Sequence, residues 1–302
     1  MVSTVGEVFR EGLGERAAFY RCHPLVNFTY FGAIVGVTMF SNHPLFLAAS
    51  FVMAWVYSVL LRGKKAILFN CLILLPTMLI TVLLNTLNVH NGVTVLFYLN
   101  GNRITLEAIV YGCAAALMLS SVMIWFSCFS TIMTADKFLY LFGRVAPVIA
   151  LTLSMILRFI PLLQTRFREV SAAQRCMGRG GKTGLLPRIR QMGKEVSILI
   201  AWSLEASIES ADSMEARGYG LRGRTSFHLF RLAGGDRWLL AALLLLAGVS
   251  IFACVRGHTS IYYYPTILLP PMFPAQSICF GAFCLLMLSA VVIDIRGMLQ
   301  WN

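Results

Sequence analysis

Six apolar runs dominate this chain, at roughly residues 25–41, 44–61, 66–86, 107–130, 239–255 and 276–295. Each is near the ~20 residues that a helix needs to cross a bilayer. One such run could be a buried core helix. Six in 302 residues, with 58% hydrophobic and only 13% charged residues, exclude an ordinary soluble domain, where about a quarter of residues are charged. The fold class expected is an all-α integral membrane protein with about six transmembrane helices. Polar and charged residues Glu7, Arg10, Glu11, Glu15 and Arg16 precede the first run, which is not the pattern of a cleavable signal peptide.

The net charge of +12 could suggest nucleic acid. In a membrane protein, however, basic loops mark the cytoplasmic face, and no nucleic-acid partner is expected. Arg62, Lys64 and Lys65 follow the second run and are placed in the cytoplasm. Asn85, Asn88, His90 and Asn91 end the third run in a neutral loop of the outer kind, without metal-ligand spacing. The fourth run leads to Asp136, Lys137 and Arg144. Residues 145–163 then look like a further span, but the segment after them is the most basic in the protein. From Arg166 to Arg237 there are thirteen Lys/Arg against seven Asp/Glu, a net of +6 and half of the whole charge. Pro147, Pro161 and Arg158 argue against a plain lipid-facing span. Residues 145–163 are therefore read as one tilted or re-entrant helix, the alternative being that 131–144 is outside and the segment crosses. The division expected is N-terminal membrane helices at 1–163, a cytoplasmic helical coupling region at 164–237, and C-terminal membrane helices at 238–302.

Within that region two helical stretches are expected, about 162–177 ending at Gly178 and about 187–216 ending at Gly218. The run from Glu195 to Ala216 contains neither Gly nor Pro. Arg217 stands where the helix should stop, beside carbonyls that favour a cation, and Gly218 can turn left-handed after it. Glu205, Glu209 and Asp212 form an acidic stripe, the usual sign of a solvated face. Ala201, Leu204, Ile208 and Ala211 form a neighbouring small-apolar stripe, of the kind that lets two helices approach closely. The basic, Gly-rich piece from Arg179 to Gly184 lacks the spacing of a phosphate loop. There is no nucleophile elbow, no H-E-x-x-H and no paired-acid magnesium motif. The eight cysteines contain no C-x-x-C pair, so neither a zinc site nor a disulfide framework is read. Few ionisable groups lie in the apolar runs, chiefly Arg158 and Asp294. Such a chain supplies no energy of its own, and its work arrives through the basic insert.

Ser213-Met214-Glu215-Ala216-Arg217-Gly218-Tyr219 resembles the second Ala-Arg-Gly signature of the transmembrane T component (EcfT/CbiQ type) of energy-coupling factor (ECF) importers. Leu157-Arg158-Phe159-Ile160-Pro161-Leu162-Leu163 is similar to the helix leading into that family's coupling region, and Ala172-Ala173-Gln174-Arg175 stands where the first signature belongs. The likeness covers about residues 130–220; the earlier spans match in hydropathy only. It implies a multi-pass subunit of the cell membrane that is not an enzyme, has no cofactor or metal of its own, and transmits the closure of two cytoplasmic ABC ATPases to a separate substrate-binding membrane subunit (the S component) for uptake of a vitamin or metal ion. It implies ATPase contacts at Met214, Glu215, Ala216, Arg217 and Gly218 at one tip, and at Arg175, Met177, Gly178 and Arg179 at the other. The first tip departs from the family pattern: Cys176-Met177-Gly178 replaces Ala-Arg-Gly. Since Met cannot pair with a carboxylate, two different ATPases are expected, the alternative being that Arg179 substitutes and the pair is identical. Two rival readings are a permease subunit with its own substrate path and a membrane-embedded enzyme using Asp294 or the histidines.

Overall fold

The computed structural model describes residues 17–89, 92–99, 102–143, 145–179, 185–221, 230, 232–264 and 274–300. The expectations for residues 7–16, for His90 and Asn91, and for most of the Gly-rich piece at 180–184 lie outside these. The chain divides into two units. The first joins Met1–Phe138 to Phe230–Asn302, and the second is Leu139–Leu229.

In the first unit the short helix α1 (Ala18–Arg21) precedes α2 (Pro24–Phe40) and α3 (Pro44–Arg62). His23 and His43 cap α2 and α3: each Nδ1 accepts the N–H two residues on, at 3.2 and 3.3 Å, and proline occupies the next position. Burial holds both imidazoles below their ordinary pKa, which favours the neutral ring that such an acceptor requires. Helix α4 (Lys64–Asn88) carries a π-turn at Asn70–Leu74 immediately before Leu75-Pro76. Pro76 has no N–H for the preceding turn, and the wider turn accommodates the loss. A small antiparallel hairpin follows, β1 (Val95–Leu99) with β2 (Asn102–Thr105), pairing Leu99 with Asn102. It is a minor departure from the all-helical expectation. Helices α5 (Leu106–Ile132), α9 (Gly234–Val255) and α10 (Pro274–Gln300) complete this unit, and α6 (Ala135–Gly143) runs from it into the second.

The core lies where α2, α3, α5 and α10 meet. Phe19, Tyr30, Phe31, Tyr57 and Trp125 are buried together, with Tyr30 edge-on to Phe19 at 5.0 Å and to Phe31 at 5.1 Å. Their polar atoms are satisfied. Tyr30 Oη donates to the Met287 carbonyl at 3.0 Å, and Trp125 Nε1 donates to Ser50 Oγ at 3.1 Å. Arg62 is tied to α5 as well as standing at the end of α3. Its Nε donates to Thr131 Oγ1 at 2.8 Å, and its Nη1 and Nη2 donate to Ser127 Oγ and O at 2.6 and 2.8 Å.

The second unit contains α7 (Pro147–Gln174), continued by a π-turn at Arg175–Arg179, and α8 (Leu185–Ala216). Residues 147–163 and 164–174 form one continuous helix with Pro161 inside it, rather than a membrane helix and a separate coupling helix. A proline removes one N–H donor and bends a helix without always ending it. Among the described residues six helices are long and apolar enough to cross a membrane: α3, α4, α5, the α7 stretch Pro147–Met177, α9 and α10. Helix α2, at 17 residues, is shorter.

Candidate coupling site

The end of α8 is a Schellman turn built by its own sequence. The Gly218 N–H donates to the Glu215 carbonyl at 2.9 Å, and the Tyr219 N–H reaches back to the Met214 carbonyl at 3.0 Å. Both bonds need a left-handed residue between them, and Gly218 has φ +81°. A Cβ there would also stand 3.0 Å from Leu221 Cδ1. Arg217 is the last residue before this reversal. Its N–H still bonds the Ser213 carbonyl at 3.2 Å, while its side chain is exposed and forms no ion pair among the described residues. Glu215 and Ala216 are also exposed, and Met214 is half-buried. The turn thus gathers the five expected residues of the second tip and presents a guanidinium with free donors.

The first tip is built differently. It has no left-handed glycine turn within the described residues; instead α7 widens into the π-turn Arg175–Arg179. Arg175, Cys176 and Met177 are exposed, Met177 at 59%. The exposure of Gly178 and the side chain of Arg179 lie outside what the structure describes.

Helices α7 and α8 pack on each other, with the Arg166 guanidinium 5.2 Å from the Trp202 ring centroid. Arg166 also meets Glu169 at 2.8 Å, an exposed pair of little energetic weight. Glu205, Glu209 and Asp212 are exposed as expected. The small-apolar stripe Ala201, Leu204, Ile208 and Ala211 is exposed as well, so it is not used in packing α8 on α7. The apolar window of α7 has no buried residue at all. Arg158 is exposed on α7.

Asp294 proves to be structural. It is fully buried, accepts the Phe19 N–H at 2.7 Å through Oδ1 and the Tyr57 hydroxyl at 3.2 Å through Oδ2. Sequence reasoning missed this because both partners are hundreds of positions away. Among the described residues no cluster of His, Cys, Asp or Glu could hold a metal ion.

The family described as CbiQ, cobalt transport protein, matches residues 20–228, which include both tips and most of the first unit's N-terminal helices. The chain belongs to the EcfT/CbiQ family. An energy-coupling factor transporter transmembrane protein EcfT from Listeria innocua is 31% identical over 246 residues, spanning 76% of this chain and 91% of that protein. The EcfT of Lacticaseibacillus paracasei is 28% identical over 250 residues, or 74% and 89% of the two chains. That of Lactobacillus helveticus is 35% identical over a shorter stretch of 103 residues, 33% of this chain and 37% of that protein. This T component is therefore a multi-pass membrane protein and the energy-coupling transmembrane subunit of an ECF transporter.

Proposed function

We propose that this T component transmits ATP-driven motion from two cytoplasmic ABC ATPases to a separate S component that carries a vitamin or a metal ion, and is not itself an enzyme. The observation that carries the reading is the exposed, unpaired Arg217 held at the tip of α8 by a glycine turn. A guanidinium in that setting is suited to charge-assisted, bidentate bonds with a carboxylate in a partner's groove. The basic stretch 164–237 is then cytoplasmic, by the positive-inside rule. The exposed stripe Ala201, Leu204, Ile208 and Ala211 offers a partner helix a surface of small and aliphatic side chains.

The contact residues are Met214 to Gly218 at the second tip and Arg175, Met177, Gly178 and Arg179 at the first. The two tips differ in chemistry and in backbone, one a Schellman turn and the other a π-turn. Identical grooves would have to accept both, so two different ATPases fit better. Purification of the tagged chain from native membrane, with mass spectrometry of what accompanies it, tests the partnership. Two ATPase species and a further membrane subunit are expected; one ATPase species in two copies would refute the two-protein reading. Arg217→Ala should leave the chain folded and weaken ATPase binding by ~2–5 kcal/mol, the cost typical of breaking a buried charged contact. Unchanged assembly would remove Arg217 from the interface.

A further inference from the structure

Lys137 is a buried lysine that the coupling tips do not use. The residue is only 3% exposed, although it lies just after the last turn of α5 and immediately before the second unit begins at Leu139. Burying an ammonium is costly unless it is well bonded. Here it meets three oxygens. It donates to the Ile132 carbonyl at 3.1 Å and to the Tyr20 carbonyl, and it stands 3.8 Å from the Tyr20 ring centroid. In the amide orientation that satisfies both neighbours, Asn27 Oδ1 accepts from Lys137 Nζ at 3.2 Å while Asn27 Nδ2 donates to the Phe19 carbonyl at 3.1 Å. An ammonium has three N–H donors, which equals the number of acceptors around it.

The bonds join three elements. Ile132 is the last residue of α5, and Tyr20 lies in α1, so one cation sits at the carbonyl ends of two helices, where the helix dipole favours it. The opposite end of α1 is held by Asp294, which accepts the Phe19 N–H. Gly297, one turn further along α10, lets α1 lie directly on that helix: a Cβ there would come within 2.4 Å of Ala18 Cβ. Helix α1 is thus wedged between an acid on α10 and a base on α6. That base also closes the corner between α5 and α6.

The structure assigns to Lys137 the role of a positioning residue: by binding the Tyr20 and Ile132 carbonyls together, it pins α1 to the corner where α5 gives way to α6. The assignment rests on the energy-coupling reading for its purpose. Motion delivered to the coupling helices does work on the membrane part only if their root does not yield.

The charged surroundings of Lys137 are sparse. Cys22, on the linker after α1, is a neutral thiol, since burial first and then Asp236 on α9 and Asp294 on α10 push it up to about 11. Asp294 is taken up by Phe19 and Tyr57, and His23 is kept below its usual range by burial. Asp136, its neighbour in the chain, is exposed, no ion pair to Lys137 is formed among the described residues, and Lys137 is brought down by burial to about 8. Above that pH the amine keeps two N–H donors for three acceptors, and the corner loosens. Global stability moves the other way. The unfolded chain holds the proton up to the ordinary lysine range, so between about 8 and that range it binds more protons than the folded chain, and stability rises with pH.

The test uses the full chain in lipid nanodiscs, with ketone-bearing amino acids at exposed Val52 in α3 and exposed Ala135 in α6, both in the first unit, carrying spin labels. The distance distribution between them is measured by pulsed EPR. A narrow distribution is expected for the native chain at neutral pH, with the width about doubled in Lys137→Met and in the native chain at about pH 9.5, as a local restraint is released. Lys137→Arg, which stays charged, should remain narrow at both pH values. A native distribution equally narrow at both pH values, or Lys137→Arg broadening as the native chain does, would overturn the assignment. The native pH series stands even if Lys137→Met fails to fold. Adding the co-purified ATPases and ATP to the same samples tests the coupling reading separately: absence of any ATP-driven shift counts against that reading, whereas the widths without ATP judge Lys137.

Discussion

Gly218→Ala is the smallest change that should disturb the second tip alone. The native backbone has φ +81° at this position, a conformation that costs a residue with a Cβ roughly 1–2 kcal/mol relative to glycine. The added Cβ would also meet Leu221 Cδ1 at 3.0 Å. That atom is the free end of an exposed side chain and can rotate away, so the steric part is small. The backbone cost falls on the two bonds that need the left-handed turn, Gly218 N–H to Glu215 O and Tyr219 N–H to Met214 O. A cost of about 1–2 kcal/mol raises the open fraction of the turn by a factor of about 5–30. Hydrogen exchange at residues 218 and 219 should accelerate by that factor, while amides in the body of α8, such as those of residues 200–210, keep their native rates. Gly218→Asn should lie between, since asparagine enters this conformation more readily. Binding of the ATPases should weaken by no more than the same factor, because Arg217 is still present but less often presented. Exchange at 218 and 219 within about twofold of native would refute the argument that the glycine holds the tip. Loss of binding as complete as in Arg217→Ala, with native exchange, would show that the glycine acts by direct contact instead.

Asp294→Ala strands the buried Phe19 N–H and Tyr57 hydroxyl and should cost about 2–6 kcal/mol, at roughly 1–3 for each orphaned group, read as a lower melting temperature by circular dichroism; an unchanged melt would deny Asp294 its structural role. Gly297→Val should lift α1 from α10, because a Cβ already collides with Ala18, and limited trypsin digestion should then cut after Arg21 faster than in the native chain. Cys22 and Cys176 should separate in maleimide labelling. Cys176 is exposed, whereas Cys22 is half-buried with its thiol pushed up to about 11; only the thiolate reacts quickly, so at neutral pH mass spectrometry should find Cys176 modified first and Cys22 resistant, and equal rates would contradict the burial of Cys22.

The membrane character, the exposed acidic stripe and the left-handed stop at Gly218 are all legible in the sequence, because each is written in neighbouring residues. Local signals fail where a partner is distant. Asp294 reads as a polar residue near a helix end, and nothing next to it announces that it accepts a hydrogen bond from the Phe19 amide. Lys137 likewise reads as one more basic residue of a cytoplasmic loop. Pro161 misleads differently. As a helix breaker it counts against a plain lipid-facing span in 145–163, with a coupling stretch starting near 162, yet α7 runs through it, since a proline removes a single N–H donor and bends a helix without always ending it. The β1–β2 hairpin does have a signal, Asn100-Gly101 between runs rich in β-formers, but it is faint beside the long apolar runs on either side. At the first tip the sequence signals a departure, Met177 where an Arg is expected, and the described backbone there is the π-turn Arg175–Arg179.

The hydrogen-bonding side chains divide along the same line as the two units. In the first, many of them reach across the fold: Tyr30 to Met287, Tyr57 to Asp294, Trp125 to Ser50, Arg62 to Ser127 and Thr131. Each such bond has one geometry, and shifting either helix breaks it in a setting where orphaned polar atoms are costly. In the second unit, Thr152, Thr165, Ser203, Ser207 and Ser210 all bond carbonyls three or four residues back on their own helix. Such bonds survive when one helix moves past another. Between α7 and α8 the Arg166–Trp202 stack tolerates a range of positions. A helix pair whose hydroxyl side chains are satisfied within their own helices can shear by small steps at low cost. The first unit lacks that freedom, and an energy-coupling subunit needs both properties: a frame that keeps its shape, and helices that can slide.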